Sequence, residues 1–282
     1  MSYVVGDRGS CVTSEQWSWL VPEGLWEIVQ PLLPPPRARP QGGGTANIDD
    51  RAVFAAIVFV LTSGCAWRHL PPCFGASKST VHRRFTLWSR AGVGATASGA
   101  AGPTRRRGAA GPVTRHPRLR ARTGEKGGGH TGPSPVDRGK PGSKMHVLSD
   151  AAGLPIGVGI SGGNVHDLHG LRPMVEGFQM KHDPQRGRCR LVDKLYADKA
   201  YDRPDLRRWL RSVGITPRIA RIGVESSQRL GRRRWLIERT ISWLTGYRRL
   251  SPRYERNPRN YLAFLGLAAA LTCYKRLLTL TT

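Results

Sequence analysis

Carboxylates are scarce in this chain of 282 residues. Aspartate and glutamate together number 19 against 45 lysines and arginines, so the formal net charge is +26 and the isoelectric point is about 11.3. Such an excess does not fit an ordinary cytosolic enzyme with a neutral substrate. It fits a polyanionic partner, most commonly nucleic acid. A small basic structural protein, such as a ribosomal protein, is the alternative, but eight tryptophans and an apolar C-terminal stretch argue against it.

The chain also lacks the cysteine spacing of a zinc site or a disulfide framework. Its five cysteines are scattered, and none forms a CxxC pair, so reduced thiols are expected. No signal-peptide pattern opens the chain, and the apolar run Ala263–Tyr274 is too short to cross a bilayer. We therefore expect a cytoplasmic protein with no membrane partner.

Residues 14–90 predict an all-helical N-terminal domain. Within it, Asp49–Ser63 carries apolar residues at helical spacing. Asp49 or Asp50 is placed to cap the start of this helix, and Gly64 is placed to end it.

A second helix, Ser77–Ser89, is predicted after a stiff turn at residues 67–72, and its inward positions are Val81, Phe85 and Trp88. Two helices joined by a turn resemble a helix-turn-helix. The second helix either contacts DNA or only packs against its neighbour. If it contacts DNA, the contacting residues are Lys78, Thr80, His82, Arg83 and Arg84.

Residues 91–129 lack the patterning of their neighbours. They are rich in Gly, Ala, Arg, Pro and Thr, and Glu125 is their single acid. We find no strand or helix periodicity in this segment, and its composition predicts disorder. The segment is either a basic linker that binds the DNA backbone or sequence that was never selected as protein.

Regular patterning returns in residues 130–278 and predicts a mixed α/β domain. Two strands joined by a turn at residues 150–153 are followed by helix, strand, helix, strand and helices. Asp198 lies where the strand Arg190–Ala197 ends, and the ends of strands are where sites collect in α/β folds. Asp202, just before a proline, is the better candidate for capping the next helix, which leaves Asp198 available for another task.

The stretch Arg232–Arg256 is strongly basic and has the apolar period of a helix. Glu238 is the single acid of the predicted helix Leu230–Tyr247, and Arg234 lies four positions before it on the same face. One interpretation is an ion pair on the helix surface. The other is a metal-binding acid at a place where DNA phosphates arrive. Arg248 and Arg249 in the same stretch are predicted to contact DNA.

These motifs together resemble the DDE transposases of bacterial insertion sequences, the branch called insertion sequence family five. The similarity covers residues 14–90 and 130–278, and the matching pieces, in order, are WRHLPPCFG with STVHRRFTLW, GPSPVDRGKPGSKMHVLSDAAGLPIGV, GNVHD, ADKAYD and RRRWLIERTISWLTGYRRLSPRYER. The resemblance implies a ribonuclease H-like core in which three acids hold Mg²⁺ or Mn²⁺. It assigns the second acid to Asp198 and the third to Glu238, with Arg234 as an accompanying basic residue.

The chain departs from this family at the first acid. The family's first aspartate lies on the first core strand, and the matching place falls near Arg118, ahead of a glycine pair. No aspartate occurs between Asp50 and Asp137. We therefore expect a core without its first strand, weakened metal binding and a defective catalytic site. A pair of compensating frameshifts between Gly92 and Glu125 would explain the departure.

The resulting prediction is an insertion-sequence transposase that binds the inverted-repeat ends of its element as double-stranded DNA, with a homodimer as the expected assembly. Intact relatives would cut and rejoin DNA with two metal ions. The alternative is a non-catalytic DNA-binding protein that occupies the element ends.

Overall fold

The computed structural model describes residues 17–35, 48–93, 111–115, 128–135, 138–179, 192–224 and 227–281. Three helices come first: α1 (Glu23–Val29), α2 (Asp50–Ser63) and α3 (Lys78–Arg90). Six strands and four helices follow: β1 (Gly111–Arg115), β2 (Gly132–Pro133), β3 (Pro141–Ser149), β4 (Pro155–Gly162), α4 (Leu168–Gln179), β5 (Lys194–Ala197), α5 (Pro204–Ser212), β6 (Thr216–Ile219), α6 (Ser227–Thr245) and α7 (Pro258–Thr281).

Helix α2 begins and ends at the residues that the sequence predicted. The Asp49 carboxylate accepts hydrogen bonds from the backbone N–H groups of Arg51 and Ala52. Gly64 ends the helix with a φ of 71°, which a residue with a Cβ adopts only with strain. Ten of its residues are buried, so the helix runs through the core instead of lying on it.

Helix α3 is capped by the Ser77 hydroxyl, which accepts a hydrogen bond from the Thr80 N–H. Its inward residues are those predicted: Val81, Phe85 and Trp88 are buried. The connection from α2 differs from a helix-turn-helix turn of three or four residues, because it occupies residues 64–77 and contains two 3₁₀ turns. Phe74 anchors this connection by stacking on Trp17 at 4.4 Å between ring centroids.

Strand β1 corrects the expectation that residues 91–129 are irregular throughout. It pairs antiparallel with β3 from Gly111 opposite Ser149 to Arg115 opposite Met145. The backbone groups along this edge of β3 need hydrogen-bond partners, and the segment containing Val113 supplies them. Residues 94–110 and 116–127, including the place near Arg118, lie outside the described part of the chain.

The sheet continues on the other side of β3, where β4 pairs antiparallel after the predicted turn. Strands β5 and β6 form a separate parallel pair, and β5 lies beside β1. Helix α4 packs on β3 and β4, while α5 packs on β6. These contacts enclose a second core that includes Leu148, Leu171, Leu195 and Leu210.

Helix α7 joins the N-terminal helices to the sheet. Its Phe264 stacks on Phe85 of α3 at 4.2 Å and on Trp67 at 5.9 Å, and one hydrophobic cluster contains residues of α1, α2, α3, β3 and α7. The stretch Pro258–Thr279 is long and apolar enough to cross a membrane, but 61% of its most apolar window is buried inside the protein. The helix is longer than the run Ala263–Tyr274 on which the sequence expectation rested, and its burial places it in the protein core.

Candidate active site

Asp198 follows the last residue of β5 and is exposed. Its Oδ1 accepts a hydrogen bond of 2.9 Å from the Ala200 N–H, so it caps the 3₁₀ turn Lys199–Tyr201. The prediction that Asp198 would be left without a capping role is wrong in this respect. The cap occupies one lone-pair direction of one oxygen, and the exposed carboxylate retains capacity to bind a metal ion.

Asp202 does not cap helix α5, contrary to the prediction. The residue at the cap is Arg203, which makes no capping side-chain bond, and Pro204 at the first turn has no N–H to donate. The Asp202 carboxylate instead accepts bonds from the Ile222 N–H at 2.9 Å and from Arg207 Nη2 at 2.7 Å. These bonds, that from Ile222 first, hold the pKa of Asp202 below its usual value.

Glu238 lies on helix α6 and its side chain is exposed. The next two residues fix that part of the helix to the turn between β3 and β4. Arg239 Nη2 donates to the Ala152 carbonyl at 2.8 Å, and the Thr240 hydroxyl donates to the Gly153 carbonyl at 2.5 Å. Arg234 lies one turn earlier in the helix, and its side chain is outside the described part of the structure.

The turn can approach α6 closely because of Gly153. Its φ is 84°, and a Cβ there would lie 2.8 Å from Leu236 Cδ2 and 3.1 Å from Thr240 Oγ1. Asp150 shapes the same turn by accepting bonds from the Ala152 and Leu154 N–H groups. Asp150 is thus engaged in the turn, and Asp137 lies outside the described residues.

Strand β1 contacts both elements that carry the candidate acids. It lies beside β5, which leads into Asp198, and beside α6, which carries Glu238. Its sequence is GPVTR, without a carboxylate. Among the residues that the structure describes, no three His, Cys, Asp or Glu side chains form a group able to hold a metal ion.

Some of the residues predicted to contact DNA are exposed, and others are turned toward the protein. Lys78, His82 and Arg83 are exposed on α3, and Thr80 is half-buried. His82 also packs edge-on against Trp67 at 5.1 Å. Arg84 is turned toward the protein, where it pairs with Asp50 and donates to the Ile48 carbonyl.

Arg248 is exposed, whereas Arg249 is only 5% exposed and is committed to the protein interior. Arg249 Nη2 pairs with Glu255 at 2.5 Å, and Nη1 donates to the Cys65 carbonyl at 2.9 Å. The guanidinium also lies over the Trp67 ring at 5.7 Å. A DNA phosphate has no access to this side chain, so we withdraw Arg249 from the predicted DNA contacts and assign it to holding Trp67 near α7.

Sequence reasoning missed a partly buried ion pair that includes the last residue of the GNVHD motif. Lys144 Nζ on β3 donates to Asp167 Oδ1 at 2.8 Å and to the Val165 carbonyl at 2.6 Å. On the same strand, His146 Nε2 lies 2.7 Å from the Ser161 hydroxyl of β4. The signal available in the sequence was a lysine inside an otherwise buried strand, since lysine is seldom buried without a partner.

Comparison with known proteins decides the family. A family described as "Putative transposase of IS4/5 family" matches residues 21–97, and a second described as "Transposase DDE domain" matches residues 115–273. The "Putative transposase for insertion sequence element IS402" of Burkholderia cepacia is 41% identical over 152 residues, covering 52% of this chain and 70% of that relative. This chain belongs to the DDE transposases of the IS4/5 family.

A second relative of this transposase is shorter. The "Insertion element IS402 uncharacterized 16.2 kDa protein" of Burkholderia cepacia is 38% identical over 76 residues, which are 26% of this chain and 52% of that relative. DDE transposase domains generally use divalent metal ions. In this transposase the carboxylates of Asp198 and Glu238 are exposed, and strand β1, which lies beside the elements that carry them, contains no carboxylate.

Proposed function

We propose that this transposase binds the double-stranded inverted-repeat ends of its element and that it holds a divalent ion too weakly to cut them. The observation that carries the proposal is strand β1, which touches the elements of both candidate acids and contains no acid itself. A carboxylate site acts as a unit, so the loss of one member removes most of the rate.

The strand arrangement supports a ribonuclease H-like core. Strands β4, β3 and β1 follow one another antiparallel, β5 lies beside β1, and β6 pairs parallel with β5. The resemblance implies that the first acid of such a core stands on the central strand. We infer that β1 takes the place of that strand; its residues 111–115 are Gly, Pro, Val, Thr and Arg, and the place near Arg118 follows it, outside the described residues.

In a site with all three acids, Asp198 and Glu238 would hold Mg²⁺ or Mn²⁺. When bound, these ions activate the attacking water or 3′-hydroxyl and stabilise charge on the phosphodiester. The contribution of the chain itself is positional: the end of β5 fixes Asp198, and the β3–β4 turn fixes the part of α6 that carries Glu238. Arg234, one helical turn before Glu238, would offer positive charge to the DNA.

DNA contact is proposed for the outer face of α3 and for Arg248. Lys78, His82 and Arg83 are exposed there, and the net charge of +26 gives long-range attraction to phosphates. A homodimer on the paired element ends and a nucleoid location belong to the same proposal. A non-catalytic protein that occupies the ends is the second candidate function, and the acid-free β1 favours it.

We also propose that compensating frameshifts produced the segment between Gly92 and Glu125. Its support is the absence of aspartate between Asp50 and Asp137 in a chain whose residues 21–97 and 115–273 match the two transposase families, with residues 98–114 matched by neither. Translation of the coding DNA in the other two frames should yield a strand with an aspartate. Two frames without such a strand would mean that the segment is a genuine linker.

The metal proposal is tested by calorimetric titration of Mn²⁺ into the wild type, Asp198→Ala, Glu238→Ala and the control Asp205→Ala. Asp205 is an exposed acid paired with Arg203 on the surface, so its loss should not alter metal binding. Weak binding that disappears in the first two variants supports the proposal. Identical titrations in all four proteins would refute the assignment of these acids.

A further inference from the structure

A basic cleft lies where helices α2 and α6 end against α7. It has a volume of about 360 Å³, at the lower end of the range for ligand sites. The lining residues are Thr62, Trp243, Gly246, Tyr247, Thr272, Lys275, Arg276 and Thr279. None of them is acidic.

Aromatic rings hold the cations of the cleft in place. The Arg276 guanidinium lies 4.3 Å from the centre of the Trp243 ring, and Lys275 Nζ lies 5.9 Å from the centre of the Tyr247 ring. Both cationic residues are exposed. Arg248, also exposed, directly follows Tyr247 and packs beside Gly64 at the end of α2, since a Cβ on Gly64 would lie 2.7 Å from Arg248 Cβ.

The ends of α2 and α6 oppose this positive charge but do not cancel it. Each helix C-terminus is equivalent to roughly −0.5 of an elementary charge, so the two ends contribute about −1. Lys275 and Arg276 line the cleft and each carry a full positive charge, so the cleft remains net positive, and Arg248 beside it adds to that charge. The hydroxyls of Thr62 and Thr279 donate to carbonyls of their own helices, so cationic groups supply the donors for a bound anion.

We propose that this cleft binds a backbone phosphate of DNA outside the candidate active site. The inference rests on the proposed DNA-binding function and deepens it. Glu238 and Gly246 lie on the same helical stretch, eight positions apart, which corresponds to about 12 Å at 1.5 Å per residue.

The test compares two double variants that remove equal charge. Lys275→Gln/Arg276→Gln alters the cleft, and Arg208→Gln/Arg211→Gln alters exposed arginines of α5 as a matched control. Fluorescence anisotropy with a duplex of the element end gives the slope of log K against log salt for each protein. Each lost phosphate contact should reduce the magnitude of that slope by about 0.9. The magnitude of the slope should be smaller by about 0.9 in the cleft variant than in the wild type, and the control should retain the wild-type slope.

The other outcomes have separate meanings. Equal losses of slope in both double variants would overturn the cleft and leave only a general charge effect. A lower Tm with an unchanged slope would overturn it as well, because Lys275 and Arg276 would then only stabilise helix ends. A flat salt response of the wild type would instead refute the proposed DNA binding itself.

Two further arms identify the source of the phosphate group. Inorganic phosphate at constant ionic strength should compete weakly in the wild type and not in the cleft variant. Saturable binding of inorganic phosphate without any difference in DNA slope between wild type and cleft variant would overturn the proposal. Co-sedimentation with vesicles of anionic phospholipid that depends on Lys275 and Arg276, again without a difference in DNA slope, would assign the cleft to a membrane surface and overturn it too.

Discussion

The buried pair Arg249–Glu255 should stabilise the attachment of the N-terminal helices to the core. The two side chains are 5% and 8% exposed, and the shortest distance between them is 2.5 Å. Arg249 also donates to the Cys65 carbonyl, and Glu255 accepts from Trp67 Nε1 at 3.3 Å. The bonds to Cys65 and from Trp67 both involve residues that precede α3, so the ion pair joins segments far apart in the sequence.

Replacing Arg249 by methionine keeps an aliphatic stem against Trp67 and Phe264 but leaves the Glu255 carboxylate buried without its cation. Removal of one partner of a buried ion pair costs about 3–5 kcal/mol. We therefore expect Arg249→Met to lower the free energy of unfolding by that amount. The neighbouring control Arg248→Met, at an exposed position, should stay within about 0.5 kcal/mol of the wild type.

Urea denaturation followed by tryptophan fluorescence measures these differences, and a double variant isolates the pair. Arg249→Met/Glu255→Leu removes both charges, so its loss of stability should be clearly smaller than the sum of the two single losses. Losses that simply add would refute a direct ion pair. A loss below about 0.5 kcal/mol for Arg249→Met would refute the assignment of Arg249 to the interior.

Further predictions concern the turn at Gly153, the cap of α2 and the cysteines. Gly153→Ala should lower the stability by about 1–3 kcal/mol in urea denaturation, because the φ of Gly153 is 84° and the added Cβ would meet Leu236. An unchanged denaturation midpoint would contradict the close contact between the turn and α6. Asp49→Ala should cost about 1 kcal/mol in the same assay, whereas Asp49→Asn should cost much less, since an asparagine oxygen can also accept the capping bonds. Burial raises the pKa of the Cys273 thiol to about 12, so at pH 8 iodoacetamide should modify exposed Cys73 and spare Cys273, as read by peptide mass spectrometry. Because the folded-state pKa of Cys273 lies above its ordinary value, its contribution to stability should fall as the pH rises from about 9 toward 12, and a transition midpoint that rises over this range in wild type relative to Cys273→Ala would contradict the sign.

The sequence was sufficient to predict features that depend only on neighbouring residues. Asp49 marks the start of α2 and Gly64 marks its end, as predicted. Both act on neighbouring backbone: the Asp49 side chain accepts hydrogen bonds from the first turn, and Gly64 adopts the left-handed conformation that ends the helix. The β3–β4 turn was also predictable from alternating apolar residues on both sides. The identity of the family followed from motifs in a fixed order along the chain.

Long-range partners decided what local patterning missed. Residues 111–115 have weak strand character of their own, and the edge of β3 gives them hydrogen-bond partners. Arg249 looked exposed because it sits in a basic stretch, while Trp67 and Cys65, which hold it, lie far away in sequence. Asp202 does not cap α5 because Arg207 and the Ile222 N–H offer it other partners, and Asp198 caps the 3₁₀ turn Lys199–Tyr201.

A nicking assay tests most directly the claim that the site is inactive because strand β1 carries no acid. The purified protein is incubated with a labelled duplex of its element end and Mn²⁺, beside Asp198→Ala and Glu238→Ala. We predict DNA binding in all three proteins and no cleavage in any of them, because strand β1 carries no carboxylate between the elements of Asp198 and Glu238. Cleavage by the wild type that disappears in Glu238→Ala would contradict this prediction and show that another acid completes the site.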